Sequence, residues 1–267
     1  MALRAEPCHP RELFACLYSD FEAHIHYLLP AFRFVHAALA SATLPPPYDD
    51  ASLATHGLDD LRLDALVRWA RDGFVVPPGS FPAHWPSRLC AEFAPQGLAD
   101  GAWLRGAMFA NAIETEVNMS LLEQLMLRFG DPSSNEAYAR RYSALLESLA
   151  LPTQSFTHPV LGPCADISYE HALLGLCLGF FPTRFAPETL GFNLWMACVG
   201  PCPLLERLLP ALRSRDAALR FFVQRDPRLP DLARHAVRCA LRDDPTLAVR
   251  IARGFAAAHS SQQRWEQ

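Results

Sequence analysis

The chain has no lysine: all 24 of its Lys and Arg residues are arginine. A net charge of −4 with no basic block offers no electrostatic footprint for nucleic acid. Alternating runs of β-branched residues, the mark of a half-buried strand, are missing, so no sheet is expected. The eight cysteines form no Cys-x-x-Cys pair, which excludes a zinc knuckle and points to free thiols in a reducing cytoplasm. Neither a glycine-rich phosphate loop nor a Gly-x-Ser-x-Gly elbow is present. Arg4, Glu6 and Arg11 interrupt the amino terminus, so no signal peptide is expected there. The most apolar stretch, Ala172 to Phe181, is too short to span a bilayer.

What remains is a 267-residue chain that is 51% hydrophobic and 19% charged, enough for a large core. Its apolar residues recur at helical spacing, which predicts one all-α domain, a helical bundle with no fixed repeat. Helices are expected over Pro10 to Ala42 (broken or kinked at Pro30), Leu58 to Arg71 and Asp100 to Phe129, and Ser133-Ser134-Asn135-Glu136 resembles a cap for a further helix that runs to about Ala150. Further helices are expected over Ser168 to Phe181, Pro187 to Val199, Pro203 to Arg213, Asp216 to Arg225, Leu229 to Arg242 and Thr246 to Ala258. Gly130-Asp131-Pro132 is a strong stop. The proline-rich passage 76–95 reads as a loop with short helical turns wrapped on the body, and the polar end, 260–267, as a frayed tail.

Few residues assemble into chemistry by spacing alone. Glu22 and His26 are four apart and could share a helix face, whereas His24 points away. His171 opens an apolar helix and reads as a core-edge histidine. Cys177 and Cys198 lie on apolar helices, where a buried, inert thiol is the usual state, so a cysteine-nucleophile enzyme is not favoured.

Two blocks carry a more specific signal. Residues 97–149 contain Asp100-Gly101-Ala102-Trp103-Leu104, then Arg128-Phe129-Gly130-Asp131, then Tyr142-Ser143-Ala144-Leu145-Leu146. Residues 180–196 read Phe-Phe-Pro-Thr-Arg-Phe-Ala-Pro-Glu-Thr-Leu-Gly-Phe-Asn-Leu-Trp-Met. In order and spacing, over roughly residues 70–240, these resemble the haem-oxygenase-like iron-containing redox enzymes (diiron oxidases and oxygenases). The resemblance implies a haem-oxygenase-like bundle, dioxygen chemistry on one or two iron ions, and a place in small-molecule biosynthesis. Carried over by position, the family's metal ligands fall on Arg128, Tyr138, Ala197, Phe222, Asp226 and, with an offset, His235. Most of these cannot hold iron: arginine is a permanent cation, and alanine and phenylalanine have no lone pair.

The resemblance therefore implies a ligand-depleted relative, without a cofactor, that acts as a binding or accessory protein. Its expected partner is another protein or a second copy, with a small-molecule ligand as a further option; nucleic acid and membrane are not expected. The alternative is an iron-dependent oxidase with an unconventional ligand set drawn from Glu116, Glu123, His171, Asp226 and His235, with Glu136 as a further rearranged position. In the depleted reading, Arg128 is expected to pair with Asp226 and fill the vacated metal volume.

Overall fold

The computed structural model describes residues 9–19, 22, 25–74, 84–108, 115–130, 137–151, 164–200, 210, 212, 216–223 and 226–266. Among these residues the secondary structure is helical, with no strand. The helices are α1 (Pro10–Ser19), α2 (Leu28–Ser41), α3 (Asp50–His56), α4 (Asp60–Asp72), α5 (Trp85–Leu98) and α6 (Glu116–Phe129). They continue with α7 (Tyr138–Ser148), α8 (Ile167–Phe180), α9 (Ala186–Cys198), α10 (Asp216–Val223), α11 (Leu229–Asp243) and α12 (Ala248–Glu266). Short 3₁₀ turns cover Ile25–Tyr27, Ala102–Met108 and Pro245–Leu247. None of the described helices is long and apolar enough to cross a membrane.

Local chemistry sets several boundaries. Asp49, Asp59 and Thr115 accept hydrogen bonds from the backbone N–H of Ser52, Arg62 and Asn118, capping α3, α4 and α6. Gly130, at φ +95°, ends α6 where an L side chain would be strained.

The expected helix over Asp100 to Phe129 is not continuous: Thr115 starts α6, and upstream the chain forms a 3₁₀ turn that buries Trp103 and Leu104. The helix expected from Pro10 ends at Ser19, and Pro30 sits in the first turn of α2, where its missing N–H costs nothing. Glu22 and His26 accordingly lie in a turn and a 3₁₀ segment instead of on one helix face. His24, Glu136 and nearly all of the helix expected over 203–213 lie outside the described residues.

From Trp85 the expected proline-rich loop is helix α5; Pro95 falls in its last turn, and Cys90, Phe93 and Ala94 anchor it in the core. The tail is not frayed either. It completes α12, with Ser261 and Gln262 buried and Trp265 Nε1 donating to Ser168 Oγ at 3.0 Å.

Two helices organise the interior. From Ala172 on, α8 is apolar on every face, and the helix is surrounded by α1, α2, α5, α12 and the 102–108 turn. α9 lies along α12 and against α11. α9 and α12 approach so closely that a Cβ at Gly191 would fall on the backbone of Ile251 and Phe255, and one at Gly254 on the backbone of Glu188. α6 packs on α11, α5 on α7, and α7 on α10.

Candidate functional site

The motif residues meet in a buried polar network. Gly101, at φ +84°, turns the chain so that Asp100 faces the last turn of α6 while Trp103 enters the core. Arg128 Nη1 donates to both carboxylate oxygens of Asp100, at 2.8 and 3.0 Å, and the two side chains are only 6% and 5% exposed. The guanidinium carbon lies 4.7 Å from the centroid of the Trp103 ring, a cation–π contact.

Trp103 Nε1 donates to Asn193 Oδ1 (3.0 Å), Asn193 Nδ2 to Gln124 Oε1 (2.9 Å), and Gln124 Nε2 to the Ser120 carbonyl (3.2 Å). Ser120 Oγ in turn donates to the Leu232 carbonyl at 2.8 Å. The chain of bonds ties the 102–108 turn, α6, α9 and α11 together. Each amide in it satisfies a partner that would otherwise be stranded in the core.

This geometry corrects the expected Arg128–Asp226 pair. Asp226 stands just ahead of α11, where Arg228 binds it two residues on (2.7 and 3.0 Å) and holds its carboxyl below the usual range. Arg128 takes the nearer carboxylate that the Gly101 turn presents. Beside the network, Trp103, Leu121, Pro182, Ala186, Thr189 and Leu190 line part of a cleft of about 70 Å³, room for only a few waters. The Thr189 hydroxyl is buried there without a protein partner.

A second cluster occupies the outer seam between α6 and α11. The two helices run antiparallel: Glu116 meets Cys239 and Arg242, Ser120 meets Leu232, and Glu123 meets Arg228. His235 and Cys239 are four residues apart on α11 and therefore share a face. Cys239 Sγ lies 3.1 Å from Glu116 Oε2 and 3.5 Å from His235 Nε2, and the three donor atoms lie within 4.8 Å of one another. Arg242 Nη2 holds the same Glu116 oxygen at 3.0 Å. The hydrogen bond from Cys239, then Arg242, lowers the pKa of Glu116; burial first, then the neighbouring carboxylate, raises that of Cys239.

Of the ligand sets weighed from sequence, Glu116 and His235 come together. Glu123 and Asp226 meet only across Arg228, at 3.7 and 2.7 Å, so a cation already occupies the space between them. His171 lies in the core, 2% exposed, with Nδ1 2.8 Å from Ser261 Oγ and Nε2 3.3 Å from Met196 Sδ. Since Ser261 Oγ donates to the Ala258 carbonyl, His171 Nδ1–H donates to Ser261. Burial pushes the imidazole down to about 3, so it is neutral at pH 7.

Tyr138 opens α7 half-buried, Ala197 lies half-buried at the end of α9, and Phe222 belongs to α10. Cys177 and Cys198 are buried, and burial raises both thiols, that of Cys198 to about 11, as expected of inert cysteines.

Sequence reasoning missed Asn193, Gln124 and Cys239. A polar amide within an apolar helical stretch and the His-x-x-x-Cys spacing were the available signals, but the partners that give them meaning come from other helices. Comparison with protein-family models, curated proteins and solved structures finds no match to this chain.

Proposed function

We propose that this chain is a haem-oxygenase-like protein of small-molecule biosynthesis whose iron site has been replaced by an ion pair, and that it works as a binding or accessory subunit instead of an oxidase. The Arg128–Asp100 pair carries the reading. Where the resemblance expects a glutamate ligand, a permanent cation lies against the Asp100 carboxylate. An iron ion there would face the guanidinium and lose that carboxylate as a donor. The residues present do not fit iron.

Support for a partner comes from α6. Met119, Met126 and Phe129 recur at spacings of seven and three, hence on one face, and are 51%, 52% and 53% exposed. Large apolar side chains left in solvent along one stripe mark an interaction surface.

The test is anaerobic ferrous reconstitution of the purified chain, followed by iron analysis and dioxygen uptake with a reductant. Background iron and no uptake are expected. One or two irons per chain that persist in Cys239→Ser, with dioxygen consumed, would overturn the reading. The approach of Glu116 and His235 favours one alternative, an iron oxidase with new ligands. In that case uptake would disappear in His235→Ala, which removes one of the two donors that meet.

A further inference from the structure

We infer that the α6–α11 seam is a binding site for a zinc-class divalent cation, held by Glu116, His235 and Cys239. The site lies on the outer seam between the two helices, apart from the Arg128–Asp100 pair.

Two of the three donor separations, 3.1 and 3.5 Å, are close to those of a tetrahedral site, and the third is no more than 4.8 Å. With zinc bonds of about 2.3 Å to sulfur and about 2.0–2.1 Å to nitrogen or oxygen, tetrahedral ligands stand roughly 3.3–3.6 Å apart. Sulfur lies 3.5 Å from the imidazole nitrogen and 3.1 Å from the carboxylate oxygen, so small side-chain rotations seat all three. The donors are of the right kind: a thiolate selects for zinc over magnesium or calcium, and imidazole and carboxylate complete a common set. They are also fixed in place. His235 and Cys239 are locked in register by helical spacing, and α6 is pinned to α11 by the Ser120–Leu232 bond one turn away.

In the metal-free state the thiol proton occupies the space between sulfur and Glu116. Binding exchanges that proton, released to solvent, for the cation, and two anionic ligands neutralise its charge. Arg242, 60% exposed at its side chain, can swing into solvent to release the Glu116 oxygen. Glu116 and His235 are exposed, which leaves the fourth position open to water. The bound ion would clamp the start of α6 to α11.

Cobalt(II) titration of the tag-free, reduced chain tests this, because a thiolate ligand produces a near-ultraviolet charge-transfer band. The band is expected to saturate at one equivalent, to disappear on adding zinc, and to be absent in Cys239→Ser. His235→Ala alters an exposed side chain and so preserves the fold; it should weaken binding by about tenfold or more. Zinc should raise the melting temperature of the wild type and leave Cys239→Ser unchanged. No band at excess cobalt, or a band that survives undiminished in Cys239→Ser, overturns the assignment. Background iron in the reconstitution above would leave this result untouched, so the two readings fail separately.

Discussion

Replacing Asp100 with alanine strands the Arg128 guanidinium at a position only 6% exposed. The remaining face contact with Trp103 is worth about 1 kcal/mol, which does not offset the lost partner. Removing one member of a buried pair costs about 3–5 kcal/mol. Arg128→Met should cost a similar amount, because it leaves the Asp100 carboxylate buried without its partner. The double variant Asp100→Ala/Arg128→Met removes both charges and fills the space with an apolar chain. It should unfold within about 1 kcal/mol of the wild type, so the cycle gives a coupling of at least about 4 kcal/mol. In urea, with a slope near 3 kcal/mol/M, each single change lowers the midpoint by about 1 M, and the double variant largely restores it. Single losses below about 1 kcal/mol, or losses that simply add in the double variant, would show that the pair is solvated and would refute the reasoning.

Gly191→Ala should destabilise severely, by more than about 3 kcal/mol, because its Cβ meets backbone that no rotamer change can clear; a melting temperature within a few degrees of wild type would contradict the α9–α12 crossing. Met126→Glu with Phe129→Ser should change stability by less than about 0.5 kcal/mol per residue while abolishing concentration-dependent self-association in light scattering; unchanged association would remove the stripe as an interface with a second copy. Burial lowers the folded-state pKa of His171 to about 3 and of His259 to about 4, against 6.5 for the ordinary imidazole. Below pH 6.5 the unfolded chain therefore binds protons that the folded one does not, and each histidine removes up to about 1.4 kcal/mol of stability per pH unit as pH falls toward 4. A urea midpoint unchanged between pH 7 and pH 5 would show that these rings are hydrated.

What could be read from the sequence follows from where local signals agree with tertiary ones. α8 and α9 were legible because their apolar runs stop at Phe181-Pro182 and begin again at Pro187, and the end of α6 because Gly130 follows it. α5 was hidden by its prolines: Pro95 reads as a breaker until Phe93 and Ala94 are seen packed into the core. The end of α12 was hidden by polarity, because Ser261 acquires its partner from α8, through His171. The partner of Arg128 was misread because Asp226 is offered by alignment, whereas Asp100 is offered by a glycine turn 28 residues upstream.

The blocks that carry the resemblance have a structural account of their own. Trp103 and Asn193 bond each other, Gly191 admits α12, and Glu188 holds Arg250 at 2.7 Å. These residues are accounted for by packing alone.

The most direct test of the central claim is the anomalous signal at the iron edge from crystals grown anaerobically with ferrous iron. The account predicts no iron peak bounded by Asp100, Arg128 and Trp103, with the guanidinium still on the carboxylate. An iron peak coordinated by Asp100, with Arg128 turned away, would contradict it.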